Sequence, residues 1–152
     1  MRSRIEPITT AYMNRNLKLF HSVESNWTDI GERPWDETSF LLNLPRKWDL
    51  SFTIRCNKQV VGYIIGSQET ERRAKVNKIL VDKPYRDKGF GRKLICKFEK
   101  QCLAYGLNEI ELKALVENVA ANRFYEGLGY ELAGTIEGLD GKKRNIYIKR
   151  LK

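Results

Sequence analysis

Histidine and cysteine are scarce in this chain. One histidine, His21, and three cysteines, Cys56, Cys96 and Cys102, occur in 152 residues. His21 has no Cys or His neighbour at ligand spacing, so a tetrahedral zinc site fails on ligand count. The cysteines are odd in number, form no Cys-x-x-Cys pair and sit in apolar-patterned segments. Buried, reduced thiols in a cytoplasmic protein are the expectation. Long apolar runs are missing too. The stretch around Val60 to Ile65 falls far short of the ~20 residues that a membrane-spanning helix needs. Arg2, Arg4 and Glu6, with no apolar segment behind them, lead to the expectation of no secretory signal. No repeat and no low-complexity linker interrupts the chain. A single domain over residues 1–152 is expected. At that size a chain buries roughly 68–70% of its unfolded surface and folds without disulfide or metal.

Charge is abundant, and one sign dominates. Lys and Arg number 28 against 19 Asp and Glu, a formal net charge of +9. Hydrophobic residues make up 41% and charged residues 31%, a composition that argues against disorder. The excess of cations makes anions the natural partners: phosphorylated cofactors, nucleic acid or acidic surfaces.

Periodicity divides the chain into elements. Arg4–Ile8 reads as a first strand. Tyr12, Met13, Leu17, Phe20 and Val23 recur at helical spacing, which predicts one helix from Thr9 to about Glu24, capped by Thr9 or Thr10. A second helix is expected from Pro34 or Trp35 to just before Pro45, with Pro34 in its first turn. Ser51–Cys56 and Val60–Gly66 form a hairpin around Asn57–Lys58. Lys75–Val81 is the next strand, with Val76, Lys78 and Leu80 expected on one face and Asn77, Ile79 and Val81 on the other. Asp82–Lys88 reads as a polar loop. A strong helix follows from about Gly89 to Tyr105, its apolar stripe made by Phe90, Leu94, Ile95, Phe98 and Cys102. Gly106 suits a left-handed C-terminal cap. Glu109–Val116 alternates as a strand. Asn118 can cap a short helix, Val119–Leu128, and Tyr130–Ile136 and Asn145–Leu151 close the chain around a turn at Asp140–Gly141. The order predicts an α/β domain of α+β type, with a mixed central sheet of about six to seven strands and helices on both faces.

The segment Ile79–Leu94 is the most informative. A strand runs into Arg86-Asp87-Lys88-Gly89-Phe90-Gly91, and a helix begins there. Two glycines at such a junction let backbone approach a ligand, and the first-turn N–H groups point outward with partial positive charge. Phosphate is the expected guest. Lys88, Arg92 and Lys93 crowd the same helix terminus, where each cation opposes the helix dipole by about 0.3–1 kcal/mol unless an anion is present. The alternative is a solvated basic face with glycines kept for packing. No Gly-Lys-Ser/Thr follows, so this is not a Walker loop, and the glycine spacing is not the dinucleotide fingerprint.

Taken with the stretch Asn118–Tyr130, the region resembles the GNAT superfamily of acyl-CoA-dependent N-acetyltransferases. Arg86-x-x-Gly89-x-Gly91, directly after Leu80-Val81, matches one signature of that family. Asn118-Val119-Ala120-Ala121 leading to Phe124-Tyr125-Glu126-Gly127-Leu128-Gly129-Tyr130 matches the second. The resemblance covers about Val76–Leu151. It implies that acetyl-CoA is the co-substrate and that backbone groups of Ile79, Leu80 and Val81 pair with its pantetheine arm. It implies further that N–H groups of Arg86, Asp87, Lys88, Gly89, Phe90, Gly91 and Arg92 hold the pyrophosphate. Asn118 would touch the CoA chain, and Tyr125 would protonate the departing thiolate. Tyrosine with pKa ~10 beside a thiol with pKa ~8.5 can donate as charge develops on sulfur. With Phe124 available for the core, Tyr125 is expected to face the cleft.

An amine acceptor must shed a proton before it attacks. The strand Lys75–Val81 has no acid, and the position five residues before Asn118, acidic in ribosomal-protein acetyltransferases, is Lys113. Glu69, Glu71, Asp82 and Glu117 remain candidates and none is assigned as base. In such a family the first two helices and the last hairpin build the acceptor pocket. Trp27, Trp35, Trp48, Tyr12, His21 and Tyr147, with Asp29, Glu32, Asp36 and Glu37, would then suit a cationic amine. The expected function is direct acetyl transfer to a primary amine of a small molecule, peptide or protein, by a monomer or homodimer. A CoA-binding sensor with little catalysis is the alternative. A basic nucleic-acid module is the weaker one, since no known binding motif accompanies the charge.

Overall fold

The structure, a computed structural model, describes residues 2–25 and 32–152. Trp27 and Asp29 lie outside the described residues. Alternating apolar positions give seven strands: β1 (Ser3–Pro7), β2 (Phe52–Cys56), β3 (Gln59–Gln68), β4 (Arg73–Val81), β5 (Glu109–Leu115), β6 (Glu131–Glu137) and β7 (Lys143–Arg150). They make one sheet in the order β1-β2-β3-β4-β5-β7-β6. All neighbours are antiparallel except β4 and β5, so the sheet is mixed as expected. Asn57 and Lys58 turn the β2–β3 hairpin with φ of 52° and 74°.

Helices cover both faces. On one face lie α4 (Phe90–Ala104) and α5 (Val119–Gly127), over a core that includes Ile54, Val61, Ile64, Val76, Leu94, Phe98, Ile110 and Leu112. The stripe Phe90, Leu94, Ile95, Phe98 and Cys102 is the buried set of α4. On the other face Met13, Phe20, Val23 and Phe40 of the N-terminal helices pack on Tyr63, Ile65 and Leu80.

The N-terminal helices depart from the expected pattern. The single helix over Thr9–Glu24 is two, α1 (Thr10–Arg15) and α2 (Leu17–Ser25), with Thr9 as N-cap of the first. Asn16 is the cause. Its side-chain Nδ2 donates to the Tyr12 carbonyl at 2.8 Å and its backbone N–H turns to Met13, so the residue supplants its own helical bond. The expected helix from Pro34 to before Pro45 contracts to α3 (Glu37–Leu41). Asp36 accepts from Ser39 N at 2.9 Å and starts it, which leaves Pro34 outside, and Leu42 turns extended. Lys47 is buried there, its Nζ donating to the carbonyls of Phe40 at 2.8 Å and Leu42 at 2.6 Å. The 82–88 loop contains a short 3-10 turn, Lys83–Tyr85. Cys56 and Cys102 are buried free thiols, whereas Cys96 is exposed on the solvent side of α4, against expectation.

Candidate active site

Sheet geometry creates the opening. β4 and β5 pair only through Arg73–Lys75 and Glu109–Glu111. β4 runs on to Val81 and β5 to Leu115 without further pairing among the described residues, so the two strands splay. A parallel pair that parts midway leaves backbone N–H and C=O groups of β4 facing a wedge, available to a ligand. A bulge sits at the parting. Ile65 pairs with Lys78 but Gly66 with Val76, so Asn77 is the extra residue. Ser67 Oγ donates to its Oδ1 at 2.7 Å and pins it.

The bulge also corrects the expected faces of the strand. Val76, Ile79 and Val81 join the α4 core, while Leu80 packs with α1–α3 and Lys78 meets α2. One inserted residue exchanges the faces. Ile79, Leu80 and Val81 thus form the wedge side of β4 beyond the bulge, as the last residues before the glycine loop.

That loop closes one end of the wedge. Arg86 is extended, and its Nε donates to the Val81 carbonyl at 3.3 Å, tying the loop to the strand. Asp87 and Gly89 are both left-handed, with φ of 61° and 85°. Lys88 lies exposed between them, and Gly89 is the N-cap of α4. Alternating hands turn successive N–H groups toward one side, the geometry of an anion nest. No side chain caps α4 and no acid occupies its first turn. Phe90 is buried and Arg92 exposed. A Cβ on Gly91 would come within 3.2 Å of the Phe124 ring. Glycine there lets α5 pack against the start of α4.

The other wall is α5. Asn118 caps it, Oδ1 accepting from Ala121 N at 3.1 Å, so this side chain already has a structural task. Tyr125 is the more buried member of the aromatic pair, at 7% exposure, while Phe124 is half-buried. Phe124 does not take over the core role. Tyr125 contacts the rings of Phe124, Tyr130 and Tyr147 at centroid distances of 5.4, 6.1 and 6.1 Å. Burial alone raises its pKa, so the hydroxyl keeps its proton throughout the neutral range.

Glu24, Tyr63, Lys78 and Asn122, in and around the site, carry no signal in the two motifs. Glu24 is 4% exposed on α2. Its carboxylate accepts from Lys78 Nζ, from Tyr63 Oη at 2.7 Å and from the Trp35 backbone N at 3.1 Å. The Lys78 ammonium also lies 4.9 Å from the Trp35 ring. Burial lowers the Lys78 pKa, and Glu24 and Glu32 oppose the shift. An acid on the apolar stripe of α2, four residues after Phe20, was the available clue. Asn122 is the fourth group, buried on α5 in step with Tyr125.

The other candidates scatter. Glu69 pairs with Arg73 at 3.7 Å and Lys75 at 3.9 Å. Asp82 caps the 3-10 turn, and Glu71 and Glu117 are exposed. Burial and Lys75 lower the Lys113 pKa on β5. Tyr147 lies buried on the α4 face rather than in an acceptor pocket, because it faces the same side as Leu112, its partner in the ladder. Trp35, Trp48 and Tyr12 flank the α1–α3 core, and His21 stands edge-on to Phe40 at 5.3 Å. Asp36 and Glu37 open α3. Glu32 pairs with Arg144 of β7 at 2.7 Å, and Arg144 also holds Asp140 at 2.9 Å.

Comparison with known proteins gives the wedge a context. The model of the acetyltransferase (GNAT) family matches residues 17–130. An N-alpha-acetyltransferase 30 of Dictyostelium discoideum is 32% identical over 95 residues, covering 60% of this chain and 50% of that protein. The chain therefore matches only half the length of that relative. Among solved structures, Ard1 from Thermoplasma volcanium superposes with a TM-score of 0.86 at 19% identity, covering 100% of this chain and 99% of its own. Naa50 of Arabidopsis thaliana, solved in complex with the bisubstrate analogue CoA-Ac-MVNAL, gives a TM-score of 0.79 at 19% identity, over 99% and 100%. These two likenesses establish the shared fold.

Proposed function

The chain belongs to the acetyltransferase (GNAT) family, and from that premise we propose that it transfers an acetyl group from acetyl-CoA directly to a primary amine. The observation that carries this reading is the splay of β4 from β5, which runs into the left-handed loop and uncapped terminus of α4. A thioester arm laid along Ile79, Leu80 and Val81 hydrogen-bonds to those backbone groups of β4 that alternate away from β3 and face the wedge, which orients its carbonyl. The N–H groups of Asp87, Lys88, Gly89, Phe90, Gly91 and Arg92 receive the pyrophosphate, with Lys88, Arg92 and Lys93 supplying cations, while the Arg86 N–H is taken by the Lys83 carbonyl at 3.3 Å. Asn118 holds the start of α5 beside the arm.

The amine nitrogen attacks the thioester carbon. The tetrahedral intermediate collapses, the C–S bond breaks and the thiolate takes the Tyr125 proton. The nitrogen's surplus proton leaves to solvent and Tyr125 is reprotonated, so the products are an amide and free CoA thiol. Tyr125 carries its proton at neutral pH, and burial holds it in that donor form until charge develops on the sulfur. The N-alpha-acetyltransferase relative and the peptide-bearing neighbour make a peptide N-terminal amine the first acceptor to test.

Calorimetric titration with acetyl-CoA tests the first step, and no binding at tens of micromolar overturns the reading. Thiol release across a panel of peptide and small-molecule amines tests the second. Y125F should lower kcat by about 10–100-fold while acetyl-CoA affinity stays within about threefold, and an unchanged kcat removes the acid role.

A further inference from the structure

α5 carries the proposed acid, yet most of its surface faces solvent: Val119, Ala120, Arg123, Glu126 and Gly127 are exposed. Among the described residues, Asn122 carries the side-chain hydrogen bonds from within α5 to the sheet, and at the C-cap Lys149 of β7 adds one to the Leu128 carbonyl at 2.8 Å. Its Nδ2 donates to the Leu115 carbonyl at 3.0 Å and to the Asn118 carbonyl at 2.7 Å. Its Oδ1 accepts from Tyr147 Oη at 2.6 Å and from Asn145 Nδ2 at 2.8 Å. Two carbonyl partners on one side and two donors on the other leave a single orientation for the amide. Asn145 is in turn fixed by Thr135 of β6, whose Oγ1 donates to it at 2.9 Å. A buried amide with every position used is costly to desolvate and strongly directional. A leucine would fill the same helix face without needing any partner.

The partners explain why direction matters. Leu115 ends β5, one wall of the wedge. Tyr147 is gripped twice by the same helix, through its hydroxyl by Asn122 and through its ring by Tyr125, three residues on. Asn122 therefore sets the Tyr147 ring against which Tyr125 rests, and at the same time sets the distance from α5 to the β5 wall. Resting on the acetyl-transfer reading above, we propose that Asn122 is a positioning residue that holds the Tyr125 hydroxyl at the thiolate by locking α5 to Leu115, Asn145 and Tyr147.

A double-mutant cycle tests this. N122L, Y125F and N122L/Y125F are compared by steady-state kinetics with acetyl-CoA and the best amine of the panel, alongside acetyl-CoA titration and thermal melting. N122L should lower kcat at least about tenfold with the KM for acetyl-CoA within about threefold. In the Y125F background it should change kcat less than about twofold, because the group it positions is gone. Equal losses in both backgrounds overturn the proposal and leave Asn122 a packing residue, as does a rise in KM with kcat held. A slow Y125F with a fast N122L overturns the Asn122 role alone. A wild-type rate in Y125F overturns the acid role and the Asn122 role with it. Should N122L fail to fold, Y147F replaces it: the variant removes only the donor to Asn122 Oδ1. Its kcat should fall about three- to tenfold in the parent background and not at all in Y125F, and equal losses again sink the proposal.

Discussion

Glu24 shows what one buried carboxylate commits a fold to. It joins α2, β3, β4 and the backbone of Trp35 through Tyr63, Lys78 and one N–H. Removing one partner of such a pair leaves a buried, uncompensated charge. E24A should therefore destabilise the protein by about 3–5 kcal/mol, whereas E24L/K78M, which removes both charges, should be closer to the parent. Urea unfolding of the parent and the two variants checks this, and a double variant weaker than E24A refutes it. Lys47 makes a different commitment, because it is buried against carbonyls, with no carboxylate partner among the described residues. Burial pushes its pKa down to about 8 from 10.5. Between those two values the unfolded chain binds the proton and the folded protein has released it, so stability rises with pH across that window. Below pH 8 the cost of the buried cation is present in full. The melting temperature of the parent should gain on that of K47M between pH 8 and 10. Parallel curves would exclude the effect.

At the scale of elements, the strand–loop–helix unit from β4 to α4 was legible because each part obeys a local rule. The apolar stripe of α4 has helical spacing, and its buried residues are those the spacing gives. Gly89 stands in the left-handed region with φ of 85° and open space beyond its Cβ position. G89A therefore meets no clash but strains the backbone by roughly 1–2 kcal/mol. It should weaken acetyl-CoA binding more than it lowers the melting temperature, since relaxing the strain turns loop N–H groups away from the phosphates. Equal affinity in G89A and the parent, measured calorimetrically, would count against the nest. The N-terminal helices were less legible. An apolar repeat continues across Asn16 while a side-chain amide ends the helix there, and nothing in the periodicity of the apolar residues records that competition. The bulge at Asn77 escaped for a similar reason: a one-residue insertion is defined only by the register of β3.

For the whole molecule, a ligand seated in the wedge as proposed would bridge β4, α4 and α5, and binding to the folded state alone would stabilise it by mass action. Acetyl-CoA at about a hundred times its Kd should add about 2.7 kcal/mol. That corresponds to a rise of roughly 5–10 °C in melting temperature for a domain of this size. A shift under 1 °C at saturating acetyl-CoA, in ~0.1 M salt, would contradict a formed site. The sequence by itself determined the α/β class, the strand and helix order from β2 onward, the α4 stripe and the glycine loop, because spacing and turn chemistry are local. It also determined that part of the positive charge, Lys88, Arg92 and Lys93, gathers at one helix terminus. Only the tertiary structure decided where β4 and β5 part, because that depends on a bulge and on pairings between strands far apart in the chain. It likewise decided that Tyr125 is more buried than Phe124, that Tyr147 faces the core, and that Glu24 and Asn122 are the buried polar junctions. Burial and hydrogen-bond partnership are properties of neighbours in space, and no periodicity along the chain states them.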